Sequence, residues 1–247
     1  MFVAFAVLFY RNLRYRRYLV GYKRGKYNFT DILSLNKMGW MVGLQMGLET
    51  ALFSITGIMI GWLGSIALAA HQVMVAISTL GFMIYYGVGA AVSVRVSNYF
   101  GRQELLHVRR TTMAGFHLIL CLAVCACTVF LFSRELIGYL FTTSEEVIRV
   151  VSTLVYILLA YQFGDALQIT YANSLRGIGD VISMAVISFI GYFLIAMPVC
   201  YICGFVLEWA LTGIWIGYPI GLTLTGVMLC GRYYWKLKTK TQSKEFY

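Results

Sequence analysis

The sequence predicts an all-α integral membrane protein, a bundle of six transmembrane helices preceded by a helix stump, and three observations carry that prediction. Hydrophobic residues make up 60% of the 247 and charged residues only 12%, too few polar groups to cover the surface of a water-soluble domain. Apolar runs close to the roughly 20 residues needed to cross a hydrocarbon layer about 30 Å thick recur along the chain. Lys and Arg, finally, gather in alternate loops.

Six complete spans follow from the apolar runs: 39–63, 72–94, 112–132, 147–175, 181–203 and 209–231. Ahead of them, residues 1–10 are apolar but too short to cross, and read as the end of a preceding helix. They lack a basic region before the apolar run, and Arg11, Arg14, Arg16 and Arg17 follow where a small-residue cleavage site would stand, which argues against a cleaved signal peptide. The expected organisation is a helix end and basic loop over 1–37, a six-helix lobe over 38–232 and a tail over 233–247.

Basic residues test that count, because Lys and Arg of short loops stay on the cytoplasmic side. Arg11 to Lys37, then Arg95, Arg102, Arg109 and Arg110, then Arg176, then Arg232, Lys236, Lys238, Lys240 and Lys244 fall on one face. Together they are 18 of the 20 basic residues, leaving Arg134 and Arg149 on the other. The expected topology is therefore a multi-pass protein of the plasma (inner) membrane with a cytoplasmic C-terminus. A net charge of +10 could also suit nucleic acid. These charges lie in short loops between lipid-crossing helices, so the expected partner is the bilayer and no nucleic acid.

Other residue types speak mainly of packing. Cys121, Cys125, Cys127, Cys200, Cys203 and Cys230 fall within spans and read as small buried apolar side chains. The Cys200-x-x-Cys203 spacing has no second pair or nearby His to make a metal site. His71, His107 and His117 are scattered, and His71 and His107, at or beyond helix ends, read as interfacial. Glycines at four-residue spacing (Gly43 and Gly47, Gly57 and Gly61, then Gly213, Gly217 and Gly221) would let helices approach closely in lipid. Pro198 and Pro219 should kink or locally open the fifth and sixth spans.

Charges inside a span carry the most information, since each costs at least ~2.5–3.5 kcal/mol to insert. Two acids qualify, Glu49 in the first span and Asp165 in the fourth. Glu49 stands twelve residues from Lys37 and Asp165 eleven from Arg176, which at helical rise puts both about 16–18 Å in, near the midplane. With no Lys or Arg in mid-span to pair with, two such carboxyls need a mobile cation or a proton. Gln45 and Tyr161 each precede an acid by four residues, share its helical face and can add an oxygen ligand. The site so assembled is Glu49, Asp165, Tyr161 and Gln45, for a monovalent cation only.

Four stretches together resemble the C-terminal half of a multidrug and toxic compound extrusion (MATE) transporter: Gly61-Trp-Leu-Gly-Ser-Ile-Ala-Leu-Ala-Ala-His-Gln-Val, the Glu49 span before it, Val94-Arg-Val-Ser-Asn-Tyr-Phe-Gly-Arg102, and Leu175-Arg-Gly-Ile-Gly-Asp180. The resemblance covers essentially the whole chain. It implies no enzyme and no cofactor, but an antiporter that exports drugs or other organic, often cationic, compounds and is driven by Na+ or H+. The family's C-lobe cation site, a seventh-helix Glu and a tenth-helix Asp with a Tyr one turn before it, matches Glu49, Asp165 and Tyr161. The family's two-lobe architecture also implies an N-terminal six-helix lobe as partner, with substrate between the lobes. Aromatic residues such as Phe82, Tyr85, Tyr86 and Tyr156 could stack on a planar cation, and none is assigned to substrate.

Two other classes compete. Gly177-Ile-Gly-Asp180 fits the G-x-G-D pattern of intramembrane aspartyl proteases, with Asp165 as a second acid. Asp180, however, reads as the N-cap of the next helix at the surface, about 15 Å from Asp165 and too far to share a water. The other class is a lobe that does not itself transport, or a flippase of lipid-linked substrates; a flippase would need mid-span cations for pyrophosphate, and the spans offer none.

Overall fold

The computed structural model describes Val7 and residues 28–245, with side chains to 240; apart from Val7, the expected stump and the basic residues from Arg11 to Lys26 lie outside the described residues. The chain falls into two compact units, Met1–Gly39 and Trp40–Tyr247. Within the first, residues 29–39 are helical. The helices in chain order are α1 (Phe29–Gly61), α2 (Ser65–Gly101), α3 (Leu105–Phe132), α4 (Arg134–Phe141), α5 (Glu145–Gly177), α6 (Val181–Val206) and α7 (Ala210–Glu245). All but the eight-residue α4 are long and apolar enough to cross a membrane. The protein is thus an all-α membrane bundle, since in lipid a helix is the element that satisfies its own backbone hydrogen bonds.

Short turns join the helices, and glycine makes two of them possible. Gly64 (φ 108) turns the chain between α1 and α2, and Gly179 (φ 77) between α5 and α6. At the second, Asp180 N–H donates to the Leu175 carbonyl and Gly179 N–H to that of Arg176, the paired bonds of a Schellman ending, whose left-handed residue is glycine at least steric cost. α7 runs to Glu245, past the span end expected at 231 and through much of the expected tail.

Two apolar cores occupy opposite ends of the bundle. At one end the later turns of α1 (Leu52 to Ile60) pack with the start of α2, the start of α5, the later part of α6 and the start of α7, around the buried Trp215 and Tyr218. At the other, Val92 and Val96 of α2 and Val108 of α3 pack with the end of α5, the start of α6 and Leu229, Tyr233 and Leu237 of α7. α5 is the hub, packed against α2, α3, α4 and α7. Leu80, Met83, Ile84, Val94, Leu118 and Phe132 are exposed on the outside, where lipid rather than water is the solvent.

α6 and α7 meet through small residues in register. A Cβ on Gly213 would overlap the backbone of Cys203, on Gly217 the Cys200 thiol, on Gly221 the Ala196 methyl, and on Gly191 of α6 the Thr225 hydroxyl. Steps of four residues on α7 are matched by steps of three, four and five on α6. The five-residue step, 191 to 196, lies in the π-helical stretch Ile190–Ala196, where the wider turn takes up the extra residue. A second π stretch, Ile202–Val206, lies beyond Pro198, which itself stands in the α-helical piece Met197–Tyr201. Pro219 sits within a continuous α7.

Three packing expectations need correction. His71 is not interfacial: α2 begins at Ser65, seven residues before the expected span, so His71 lies inside it, buried, with its ring edge-on to Trp215 at 5.7 Å. Of the six cysteines only Cys200 is buried, donating its Sγ–H to the Ile214 carbonyl (3.3 Å); Cys121 and Cys125, one turn apart on α3, are exposed. Gly43, Gly47 and Gly61 have nothing within 4 Å of a Cβ, so the four-residue spacing marks close packing only on α7. Gly213→Val should therefore lower stability by about 1–3 kcal/mol, the range for overpacking a rigid contact, whereas Gly47→Ala, exposed in mid-helix, should not lower it and should raise it by up to about 1 kcal/mol. Melting midpoints of the purified chain in detergent measure both. Equal effects would show that the α6–α7 contact is not close-packed.

Candidate functional site

Between the two apolar cores lies a polar layer. Gln45 and Glu49, four residues apart, share one face of α1, and Tyr161, Asp165 and Gln168 share one face of α5. Asp165 is fully buried, and among the described residues neither of its carboxylate oxygens has a hydrogen-bond partner. Leaving such a group bare in low dielectric is expensive. Glu49 is half-buried and lies within electrostatic range of Asp165. Tyr161 is buried beside both acids.

Two cavities meet at Glu49. One, about 280 Å³, is lined by Glu49, Thr50, Phe53, Ser78, Phe82 and Tyr161 among others. The other, about 20 Å³, runs toward the end of α5 and is bounded by Gln45, Glu49, Tyr86, Gln168, Asn173 and Arg176. It is close to the size of one water. Glu49 thus sits between a roomy side and a narrow one.

Arg176 closes the narrow side. Its guanidinium donates to Gln45 Oε1 (3.3 Å), Asn173 Oδ1 (3.2 Å) and Tyr86 Oη (3.4 Å), joining α5 to α1 and α2. Gln45 in turn donates through Nε2 to Glu49 Oε2 at 3.3 Å. A guanidinium only donates, so it fixes which end of the amide faces which neighbour. The expectation that the spans offer no cation to the acids therefore needs amending: from the end of α5, Arg176 reaches Glu49 through one amide. The Gln45 oxygen, expected as an ion ligand, is here committed to Arg176.

Residue spacing did not single out several members of the layer. Gln168 Nε2 donates to the Tyr192 hydroxyl at 2.7 Å, and both side chains lie near Glu49. Among the described residues Tyr85, buried beside Asp165, has no partner for its hydroxyl, and Gln162, one turn before Asp165, has none for either amide atom. Gln168 and Gln162 were findable as the i+3 and i−3 neighbours of Asp165. Tyr192 was not, because its position depends on the π-helical register of α6. Of the other aromatics, Phe82 borders both cavities and stacks on Tyr86 (5.6 Å), while Tyr156 is exposed and meets Arg134.

Residues 42–202 match the family model MatE. Among curated relatives, the Multidrug resistance protein NorM of Photobacterium profundum is 34% identical over 220 residues, which is 87% of this chain and 47% of that protein. The protein of the same name from Vibrio cholerae is 32% identical over 214 residues, 84% of this chain and 47% of the relative. The chain thus spans about half the length of the curated relatives it matches. Among solved structures, the eukaryotic MATE transporter AtDTX14 superposes with a TM-score of 0.78 at 20% identity, over 88% of this chain and 51% of that one. The Vibrio cholerae MATE transporter VcmN in its bent form gives 0.81 at 15%, over 90% and 50%. These structures share the fold.

Asp180, the acid of the G-x-G-D pattern, is committed elsewhere. It precedes α6 but makes no side-chain cap to that helix; a guanidinium outcompetes a backbone N–H for its carboxylate. Arg232 Nε donates to Oδ2 at 2.8 Å, Ser183 Oγ–H to Oδ1 at 2.9 Å, and Lys236 stands 4.0 Å away. Burial pushes the carboxyl up, but the bonds from Arg232 and Ser183 and the charges of Lys236 and Arg232 outweigh it and hold the pKa below the usual value. A depressed folded-state pKa contributes stability above the unfolded value of ~3.9, and that contribution is lost as pH falls through the folded value. Asp180→Asn should cost about 1–3 kcal/mol at neutral pH and flatten the loss of stability below pH ~4. Melting midpoints across pH test this, and an unchanged acid limb would show that Asp180 is not the group responsible.

Proposed function

The chain belongs to the MatE family, and from that premise we propose that it is the C-terminal lobe of a cation-coupled antiporter that exports organic, drug-like cations, with Glu49 and Asp165 as one shared site for sodium or protons. The observation that carries this reading is Asp165: a fully buried carboxyl without a hydrogen-bond donor, in the same polar layer as a second acid that borders open space. A site of this kind awaits a positive partner. Tyr161 is the auxiliary oxygen. Because protonation removes the charge that holds a cation, sodium and protons compete for the same pair.

In this reading Arg176 is the tethered counter-charge of the empty site. Its charge reaches Glu49 through Gln45, and a cation arriving from the roomy side displaces that relay, freeing Gln45 to turn its carbonyl inward. Substrate occupies the space between this lobe and an N-terminal six-helix lobe, and the ion's arrival changes which packing of the two is favoured.

Equilibrium sodium binding to the purified chain tests the pair directly. Glu49→Gln and Asp165→Asn should each weaken it about tenfold or more, and the double variant should be little worse than either. Arg176→Gln should instead tighten it several-fold. Fused to the N-terminal half of a NorM relative, the Glu49 and Asp165 variants should each abolish drug efflux while preserving expression. Independent, additive losses, or efflux against a gradient in both single variants, would overturn the shared site.

The charge asymmetry further supports a plasma-membrane protein with a cytoplasmic C-terminus and an external 134–146 segment. A Cys introduced at Ser144 in a background without other cysteines should react with an impermeant maleimide in intact cells. Labelling only after the cells are opened would invert the topology.

A further inference from the structure

The pair α2 and α3 leaves a groove that the site above does not use. It encloses about 420 Å³ and is lined on α2 by Val88, Ala91 and Arg95, and on α3 by Arg110, Ala114 and Leu118. Steps of three and four residues keep each set on a single helical face. Gly115 forms the floor, since a Cβ there would overlap Val92.

The groove changes character along its length. Arg95 and Arg110 stand at the end near the α2–α3 turn, with Tyr99 and His107 beside them. Seven residues further along α2, about 10 Å at helical rise, the walls are Val88, Ala91, Ala114 and Leu118. Both arginines are exposed, and neither makes a hydrogen bond or ion pair among the described residues. The neighbouring acid, Glu104, reaches His107 at 3.4 Å rather than either guanidinium, and that ring stacks on Tyr99 at 5.2 Å. Unpaired guanidiniums over an apolar trough, on the outside of a bundle whose solvent is lipid, fit a molecule with an anionic head and a hydrocarbon tail.

We propose that this groove is a binding site for one anionic phospholipid, its phosphate held by Arg95 and Arg110 and one acyl chain lying along Ala91, Ala114 and Leu118. Charge complementarity selects the head, because guanidiniums bind phosphate bidentately and basic pockets between membrane helices hold anionic head groups. The apolar wall selects a lipid over a free phosphate, which would leave most of the groove unfilled.

Native mass spectrometry of the full chain in detergent, titrated with dioleoylphosphatidylglycerol or dioleoylphosphatidylcholine, reads the site. The chain should retain the anionic lipid preferentially. Arg95→Gln and Arg110→Gln should each weaken that retention roughly fivefold, and Ala114→Trp, which fills the trough at an exposed position without altering charge, should weaken it comparably. Arg102→Gln, on the same turn but outside the groove, should have little effect. The proposal is overturned if the double arginine variant keeps the preference, if Arg102→Gln weakens it as much, if Ala114→Trp leaves it intact, or if inorganic phosphate displaces the lipid at millimolar concentration.

Discussion

A hydrocarbon layer can neither hydrogen-bond a polar group nor drive two apolar surfaces together, and most of this structure follows from that double constraint. The first half makes every span a helix, and confines the turns at Gly64 and Gly179 to the helix ends. The second half means that helices must be held by contact at close range rather than by expulsion of water. That is why α6 and α7 meet at Gly213, Gly217, Gly221 and Gly191, and why α6 changes its turn to keep those residues opposite one another. Without the π-helical step, Gly191 would leave the Thr225 contact and α7 would meet a side chain instead.

The same constraint places the polar layer. Gln45, Glu49, Tyr161, Asp165, Gln168 and Tyr192 come from three helices, and apolar cores close the bundle at both ends. Glu49 borders the larger cavity, whereas Asp165 is fully buried. In the proposed two-carboxyl site access is therefore asymmetric, and an ion would exchange through Glu49. Arg176 enforces the asymmetry, because a fixed positive charge on the narrow side both steadies Glu49 and repels a cation approaching from there.

How much of this was legible depended on whether periodicity or tertiary register decided the position. The fold class and six spans follow from apolar runs alone. The common level of Glu49 and Asp165 follows from counting helical rise, and the structure places both in one layer with Tyr161 and Gln45. His71 was misplaced because the turn after Gly61 closes in three residues, adding nearly two helical turns ahead of the expected span. Arg176 was counted as a loop charge because sequence position gives the Cα, and an arginine side chain reaches well beyond it. Tyr192 could not be found from sequence, since a π-helical step rotates everything after it and no residue pattern announces one.

The basic end of the bundle shows that charges alike in sequence can be physically distinct. Arg232 is neutralised by Asp180 and ties α7 to the α5–α6 turn, so it belongs to the fold. Arg176 has no acid within bonding distance among the described residues and spends its hydrogen bonds on neutral oxygens of Gln45, Asn173 and Tyr86, so its charge remains available to the polar layer. Among the described residues Arg95 and Arg110 have neither kind of partner, and both are exposed, so their charge is directed at whatever surrounds the bundle. The basic residues gathered at this end therefore do three separate things. The number of partners each guanidinium has already found decides which of them it does.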